Sequence, residues 1–235
     1  MKKISHEQQQ KIWEEEHKNP EVLLQMDSCQ PSSGVKKFWD WLQTQKISKP
    51  LSGLEMCCGK GRNVIWLAQQ NIFMTGFDFS PSAIMEAQRR SAIYQTDINA
   101  HFFIQDATLT WALPANTFDF VLDCFATTDI ESQQGREKAV SEMIRVLKPG
   151  GFILVYVMSE EDAYHKDMIA QFPAHESYSF LHPKTKKFEK VFTREELIGL
   201  YNAVELIVEE RMSKNAVFND KEYFCNHYWM VFKKQ

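Results

Sequence analysis

No stretch of the 235-residue chain approaches the about 18 consecutive apolar residues that a membrane span needs, so no membrane partner is expected. A surplus of positive charge is also missing. The 27 Lys and Arg stand against 31 Asp and Glu, a net charge of -4. That balance argues against a nucleic-acid partner, which normally draws a clear basic excess. Cysteine is sparse, odd in number and badly placed for bridging: Cys29, Cys57, Cys58, Cys124 and Cys225. None of them shows zinc-ligand spacing, so no metal is expected, and the thiols read as reduced. The opening MKKISHEQQQKIWEEEHK lacks the apolar centre of a secretory signal and reads as no transit peptide. A cytoplasmic location is the expectation. Repeats and low-complexity tracts are absent as well.

What is present is ordinary globular material, 44% hydrophobic and 25% charged. Residues 5–18 suggest a helix, with Ile4 and Trp13 as sparse apolar points and Leu23 and Leu24 after it. A loop at Ser28–Gly34 precedes Val35, Phe38, Trp39, Trp41 and Leu42 at helical spacing. From residue 51 short apolar runs alternate with amphipathic stretches. Strands are predicted at Leu51–Met56, Ile72–Phe77, His101–Ile104, Phe118–Cys124 and Phe152–Val157. Helices are predicted at Asn63–Gln70, Pro81–Arg90 (opened by Ser80 and Pro81) and 133–146, with a turn at Lys148-Pro149-Gly150-Gly151. This rhythm predicts an α/β, Rossmann-like, doubly wound and mostly parallel sheet with helices on both faces. Residues 158–192 interrupt it and read as an insertion, a lid over the strand ends. Thr193 then caps a helix, Arg194–Tyr201, through a Thr-Arg-Glu-Glu capping box. Val204–Glu210 and His227–Phe232 suggest a closing antiparallel edge, with 211–226 between them. One domain over 1–235 is expected, with 1–49 as a helical cover.

The chemistry concentrates at strand ends. Leu51–Met56 runs into Glu55-Met56-Cys57-Cys58-Gly59-Lys60-Gly61-Arg62-Asn63, a strand, a glycine turn and a helix start. Glycine permits positive φ and close backbone approach, and a helix start offers free N–H donors. Asp78 ends the second strand, 19 residues after Gly59, where α/β sites place a carboxylate on ribose hydroxyls. Asp106 ends the third, in Gln105-Asp106-Ala107, where it can accept from an exocyclic amine. A dinucleotide fingerprint is disfavoured because Val64 stands where the third glycine belongs, and the run lacks the phosphate-loop pattern.

Glu55–Asn63, Asp78, Asp106, Phe118–Cys124 and Leu147-Lys148-Pro149-Gly150-Gly151 together resemble the motif series of class I S-adenosylmethionine-dependent methyltransferases, over about residues 50–157. The resemblance implies a seven-stranded sheet with an antiparallel last strand and S-adenosylmethionine as cofactor. It implies that Glu55 orients the methionine ammonium, that Cys57, Gly59 and Gly61 form the turn beneath the methionine, and that Asp78 holds the ribose with Phe79 beside the adenine. Asp106 and Ala107 would meet the adenine, and Cys124 and Phe125 the methyl end. Cys57 departs from the pattern, which has glycine there, and cysteine takes a strained φ less cheaply.

Methyl transfer is a direct displacement, so a general base is optional, and no motif declares one. No Asn-Pro-Pro-Tyr-type run follows the fourth strand; Asp123-Cys124-Phe125-Ala126-Thr127-Thr128 stands there instead. That favours a small-molecule acceptor over a nucleic acid or a protein glutamine. A protein or RNA methyltransferase and a non-catalytic cofactor-binding module are the alternatives. Tyr156, His165, Tyr178, His182 and His227 are candidates to face the acceptor, with Tyr178 and His182 as the lid. Lys184, Lys186, Lys187 and Lys190 read as a solvated face, with contact to an anionic substrate as the alternative.

Overall fold

The computed structural model describes residues 3–19, 27–45, 47, 50–218 and 220–235. Leu23 and Leu24 lie outside the described residues. Among the described residues two helices precede the sheet: α1 (His6–Lys18) and α2 (Ser33–Gln43). Ser5 and Gln8 cap α1 reciprocally. Then β1 (Ser52–Met56), α3 (Arg62–Ala68), β2 (Phe73–Asp78), α4 (Pro81–Ile93), β3 (Ala100–Ile104) and β4 (Phe118–Cys124) alternate. A 3-10 turn at Thr127–Asp129, α5 (Gln133–Val146) and β5 (Leu147–Met158) follow. The insertion folds as α6 (Ala163–Gln171) and the strands β6 (Ser179–Leu181) and β7 (Phe188–Lys190). The chain ends with α7 (Arg194–Leu200), β8 (Glu205–Phe218) and β9 (Lys221–Lys233).

Seven strands form one sheet in the order β3-β2-β1-β4-β5-β9-β8, and β6 pairs with β7 separately. The pairs among β1 to β5 are parallel; β9 runs antiparallel to both its neighbours. The doubly wound reading holds, with β9 as the antiparallel last strand. Side chains alternate between two apolar layers, as the pleat requires. Leu54, Val121, Ile153 and Val155 pack against Ala139, Val140 and Met143 of α5 and Leu197 of α7. Phe120, Leu122, Leu154 and Trp229 pack on the other face against Val35 and Phe38 of α2, Val64 of α3 and Ile84 of α4.

Two local readings are corrected. The Lys-Pro-Gly-Gly run does not stand apart as a turn before the strand, because β5 begins at Leu147. The extra length is absorbed by an irregularity in pairing between Phe118 and Phe120 of β4, with Gly150 at φ 79. Residues 211–226 are not a connection between short strands. β8 and β9 pair from Glu205↔Lys233 to Phe218↔Lys221, while β5 pairs only with residues 227–233 of β9. The far end is a two-stranded ribbon overhanging the sheet. The alternation of β8 is largely half-exposed to exposed, so it carries little apolar signal.

Candidate active site

The direction in which successive strands are laid down reverses between β1 and β4: β2 and β3 lie to one side, β5 to the other. Open α/β sheets bind ligands at the carboxyl ends beside such a switch point. A cavity of about 1000 Å³ lies there. Its floor is the glycine turn and the ends of β1, β2 and β4, contributing Glu55, Cys57, Gly59, Asp78, Phe79, Cys124 and Phe125. Trp13 and His17 of α1 close one side. The insertion and the ribbon close the other, with His165, His182, Lys187, Glu189, Lys214, Phe218 and His227.

The turn is tightly determined. Cys57, Gly59 and Gly61 all take positive φ, at 51, 53 and 78. An L-residue in that region is strained by roughly 1–2 kcal/mol, so Cys57 supports the turn at a cost glycine would avoid. A Cβ on Gly61 would meet the Phe102 ring at 2.9 Å and the Ala87 Cβ at 3.0 Å, so the helix could not approach the sheet. Burial pushes the thiols of Cys57 and Cys58 well above their ordinary range and that of Cys124 up to about 12. Protonated thiols are poor nucleophiles, so burial works against thiolate chemistry at these positions.

Two floor carboxylates differ in how they are engaged. One Glu55 oxygen accepts from the Asn63 amide at 2.6 Å; the other is buried without a partner, and burial lifts the carboxyl to about 7. Asp78 accepts from the Gly59 N–H at 3.0 Å and the Ser80 N–H at 2.9 Å. Burial raises the Asp78 carboxyl, and neighbouring His17 together with those two N–H groups opposes the rise. Asn63 ties the site together further, because it also accepts the Ser32 N–H at 2.8 Å. No role for Asn63 is legible in the sequence beyond its place in the motif.

Other candidates are placed differently. Gly61 shapes the turn but lies behind the cavity lining. Asp106 and Ala107 also lie outside the lining. The Asp106 carboxylate is filled by His6 Nε2 at 2.6 Å, the Gln10 amide at 2.8 Å, and the Thr108 N–H and hydroxyl at 2.8 and 2.7 Å. The reason is α1, which crosses the end of β3 and uses that acid as its anchor. Phe125 lines the cavity at φ 64 and packs on Tyr156 and His227. His182 lines it, whereas Tyr178 is exposed, outside the lining, with Lys190 over its ring. Lys187 and Lys190 are buried rather than solvated. Burial would lower the Lys187 ammonium, but Glu189, Asp129 and Glu16 outweigh it and raise it. The ribbon residues Lys214, Val217, Phe218 and Cys225 also line the cavity. Their sequence signal was hidden because the ribbon was not predicted.

These features fit S-adenosylmethionine: an unpartnered buried carboxylate oxygen suits an ammonium, and a second carboxylate at a neighbouring strand end suits a diol. Among the described residues, no group of His, Cys, Asp and Glu could hold a metal ion, and no helix is long and apolar enough to cross a membrane. Residues 54–151 match the model of the methyltransferase domain family. A demethylmenaquinone methyltransferase of Bacillus licheniformis is 27% identical over 158 residues, 65% of this chain and 63% of that protein, somewhat under two thirds of its length. The fold is similar to a SAM-dependent methyltransferase of Methanosarcina mazei, with TM-score 0.68, 21% identity and coverage of 80% of this chain and 94% of that one. A Pyrococcus horikoshii protein gives TM-score 0.69, 18% identity and coverage of 92% and 98%. The glycine turn and the strand-end acids Glu55, Asp78 and Asp106 thus lie on the same segment that matches the methyltransferase domain family, and the sheet order is that of a fold similar to SAM-dependent methyltransferases.

Proposed function

We propose that the protein methylates a small molecule, and that one observation carries this reading above the rest. The cavity at the glycine turn continues past Cys124 and Phe125 into a second half walled by the insertion and the ribbon. Its about 1000 Å³ is at the top of the range of roughly 300–1,000 Å³ for small-molecule sites. The walls mix charges: Lys60, Lys187 and Lys214 stand with Glu55, Asp78 and Glu189, and Lys187 pairs with Glu189 at 3.3 Å. That supports a small molecule over RNA, which favours a basic trough. The demethylmenaquinone methyltransferase name of the bacterial relative points the same way. The insertion, 158–192, and the N-terminal cover act in this reading as parts of one domain.

When bound, S-adenosylmethionine supplies an electrophilic methyl group on a sulfonium. The chain supplies position. Glu55 holds the ammonium end, Cys57 and Gly59 bring the backbone close, and Asp78 accepts from the ribose with Phe79 beside the base. Cys124 and Phe125 stand at the methyl end. Asp106 is proposed to fasten α1 across the cavity, with any contact to adenine requiring α1 to yield. Trp13 and His17 exclude water from the floor, which strengthens electrostatic contacts there.

Titration calorimetry with S-adenosylhomocysteine tests the cofactor site. Binding is expected for the wild type, with affinity about 10-fold weaker in Asp78→Asn, about 1.4 kcal/mol. No binding at millimolar ligand sinks the reading, and unchanged affinity in the variant sinks the role of Asp78.

A further inference from the structure

Along the second half of the cavity, four polar groups from three elements, β5, β9 and the start of α6, form one connected chain. The Tyr156 hydroxyl lies 3.0 Å from His227 Nδ1, and His227 Nε2 lies 3.8 Å from Asp162 Oδ2. Asp162 Oδ1 lies 2.6 Å from His165 Nδ1. Asp162 is fully buried and is the N-cap of α6; it also accepts the His165 N–H at 3.0 Å and the Asn226 N–H at 2.8 Å. Tyr156, His165 and His227 line the cavity, while Asp162 sits behind them.

The two histidines are not equivalent. Both ring nitrogens of His227 face partners, Tyr156 and Asp162. His165 has Nδ1 fixed on a carboxylate, so in its neutral form the proton sits there and Nε2 keeps its lone pair. Among the described residues Nε2 makes no hydrogen bond; the Glu189 carboxylate lies beside it, with Oε2 at 3.9 Å. The ring packs against Tyr164 and Phe180. A buried carboxylate holding one nitrogen of a cavity-facing imidazole is the arrangement that makes the other nitrogen a positioned base. Phe125, Tyr156, Tyr164 and Phe218 line the same space with aromatic faces.

We propose that His165 is the general base of this methyltransferase, held by Asp162, and that its acceptor is an aromatic hydroxyl. The inference rests on the methyltransferase reading and adds the substrate class. The acceptor O–H bond breaks with its electron pair left on oxygen, and the proton passes to His165 Nε2. An oxygen lone pair forms the new O–C bond as the S–C bond of the sulfonium breaks with its pair left on sulfur. Asp162 is a positioning residue: it sets the tautomer and stabilises the imidazolium that forms.

The test has two arms. In nitrogen-15 histidine spectra of the whole protein, neutral His165 is expected as the Nδ1–H tautomer, and Asp162→Asn is expected to shift it toward Nε2–H. A wild-type Nε2–H tautomer overturns the proposal. In the second arm, a panel of phenols, amines and thiols is offered with S-adenosylmethionine. Phenol methyl ethers are expected, with kcat falling roughly 10²–10⁴-fold in His165→Gln, KM little changed and S-adenosylhomocysteine affinity unchanged. Wild-type protein that binds S-adenosylhomocysteine but methylates no phenol, or full kcat in His165→Gln, overturns it. Failure of the wild type to bind S-adenosylhomocysteine would instead strike the cofactor reading.

Discussion

The two N-terminal helices attach to the same sheet by opposite means. α2 buries Val35, Phe38 and Leu42 in the apolar layer, stacks Phe38 on Trp41, and lets Gly34 lie flat on the Tyr156 ring. A Cβ on Gly34 would reach that ring at 2.4 Å. α1 buries Gln9, Glu16 and His17 instead. It holds by a Gln9 amide clamp on the backbone of Phe188 and Asp129, by His6 between Asp106 and Glu131, and by Glu14 on the Ser80 and Ser82 hydroxyls. Its apolar share is a small cluster of Ile4, Ile12, Ala174 and Phe188. Apolar burial is insensitive to pH and adds in proportion to area; polar attachment depends on charge state and geometry. α2 is thus part of the core, whereas α1 is fastened to its outside mainly by polar contacts.

Phe38→Ala is expected to show the largest effect. Phe38 is fully buried, and its loss should lower global stability by about 3–5 kcal/mol in urea unfolding. A loss below 1 kcal/mol would break the contrast. Gln9→Ala comes next. It leaves the buried Phe188 N–H without a partner, an effect of about 1–3 kcal/mol. Trypsin cleavage at Lys11 and Lys18 should accelerate while cleavage elsewhere does not; uniform acceleration would mean that α1 unfolds only with the core.

The smallest effect is a pH dependence. Hydrogen bonds that the His6 imidazole donates to the carboxylates of Asp106 and then Glu131 raise it from 6.5 to about 10. A raised folded value makes this contribution complete below pH 6.5 and lost as pH rises through about 10. At the acid end, burial would raise Asp106, but His6 and Thr108 outweigh it and hold it below 3.8, so its share fails only as pH falls beneath that value. The His6 side chain is 37% exposed, so screening keeps the pair to about 1 kcal/mol or less. Trypsin sensitivity of α1, corrected with an unfolded peptide, should rise between pH 7 and 10 in the wild type and be flat in His6→Ala. Equal pH dependence in both would remove His6 from the account.

Much of this was readable before folding. The Ser80-Pro81 helix start, the Thr193 capping box and the helix over Gln133–Val146 stand where local signals put them. Cys57, Gly59, Asp78, Phe79, Cys124 and Phe125 are brought together because strand ends in a doubly wound sheet share one edge. The ribbon escaped because β8 and β9 support each other by backbone pairing beyond the sheet, which leaves weak alternation. The engagement of Asp106 by α1 was not legible for a related reason. A strand-end acid looks the same in sequence whether it meets a ligand or a helix about a hundred residues upstream.

The sequence by itself determined the sheet, its winding and the glycine turn. Those depend on local spacing: apolar runs that demand burial, and turn residues that demand particular φ. Tertiary structure alone decided what closes the cavity and which histidine has a free nitrogen. Those depend on distances between residues far apart in the chain, such as Asp162 and His227 or His6 and Asp106. Burial, which sets the protonation of Glu55 and the engagement of Lys187, likewise has no counterpart in the order of residues.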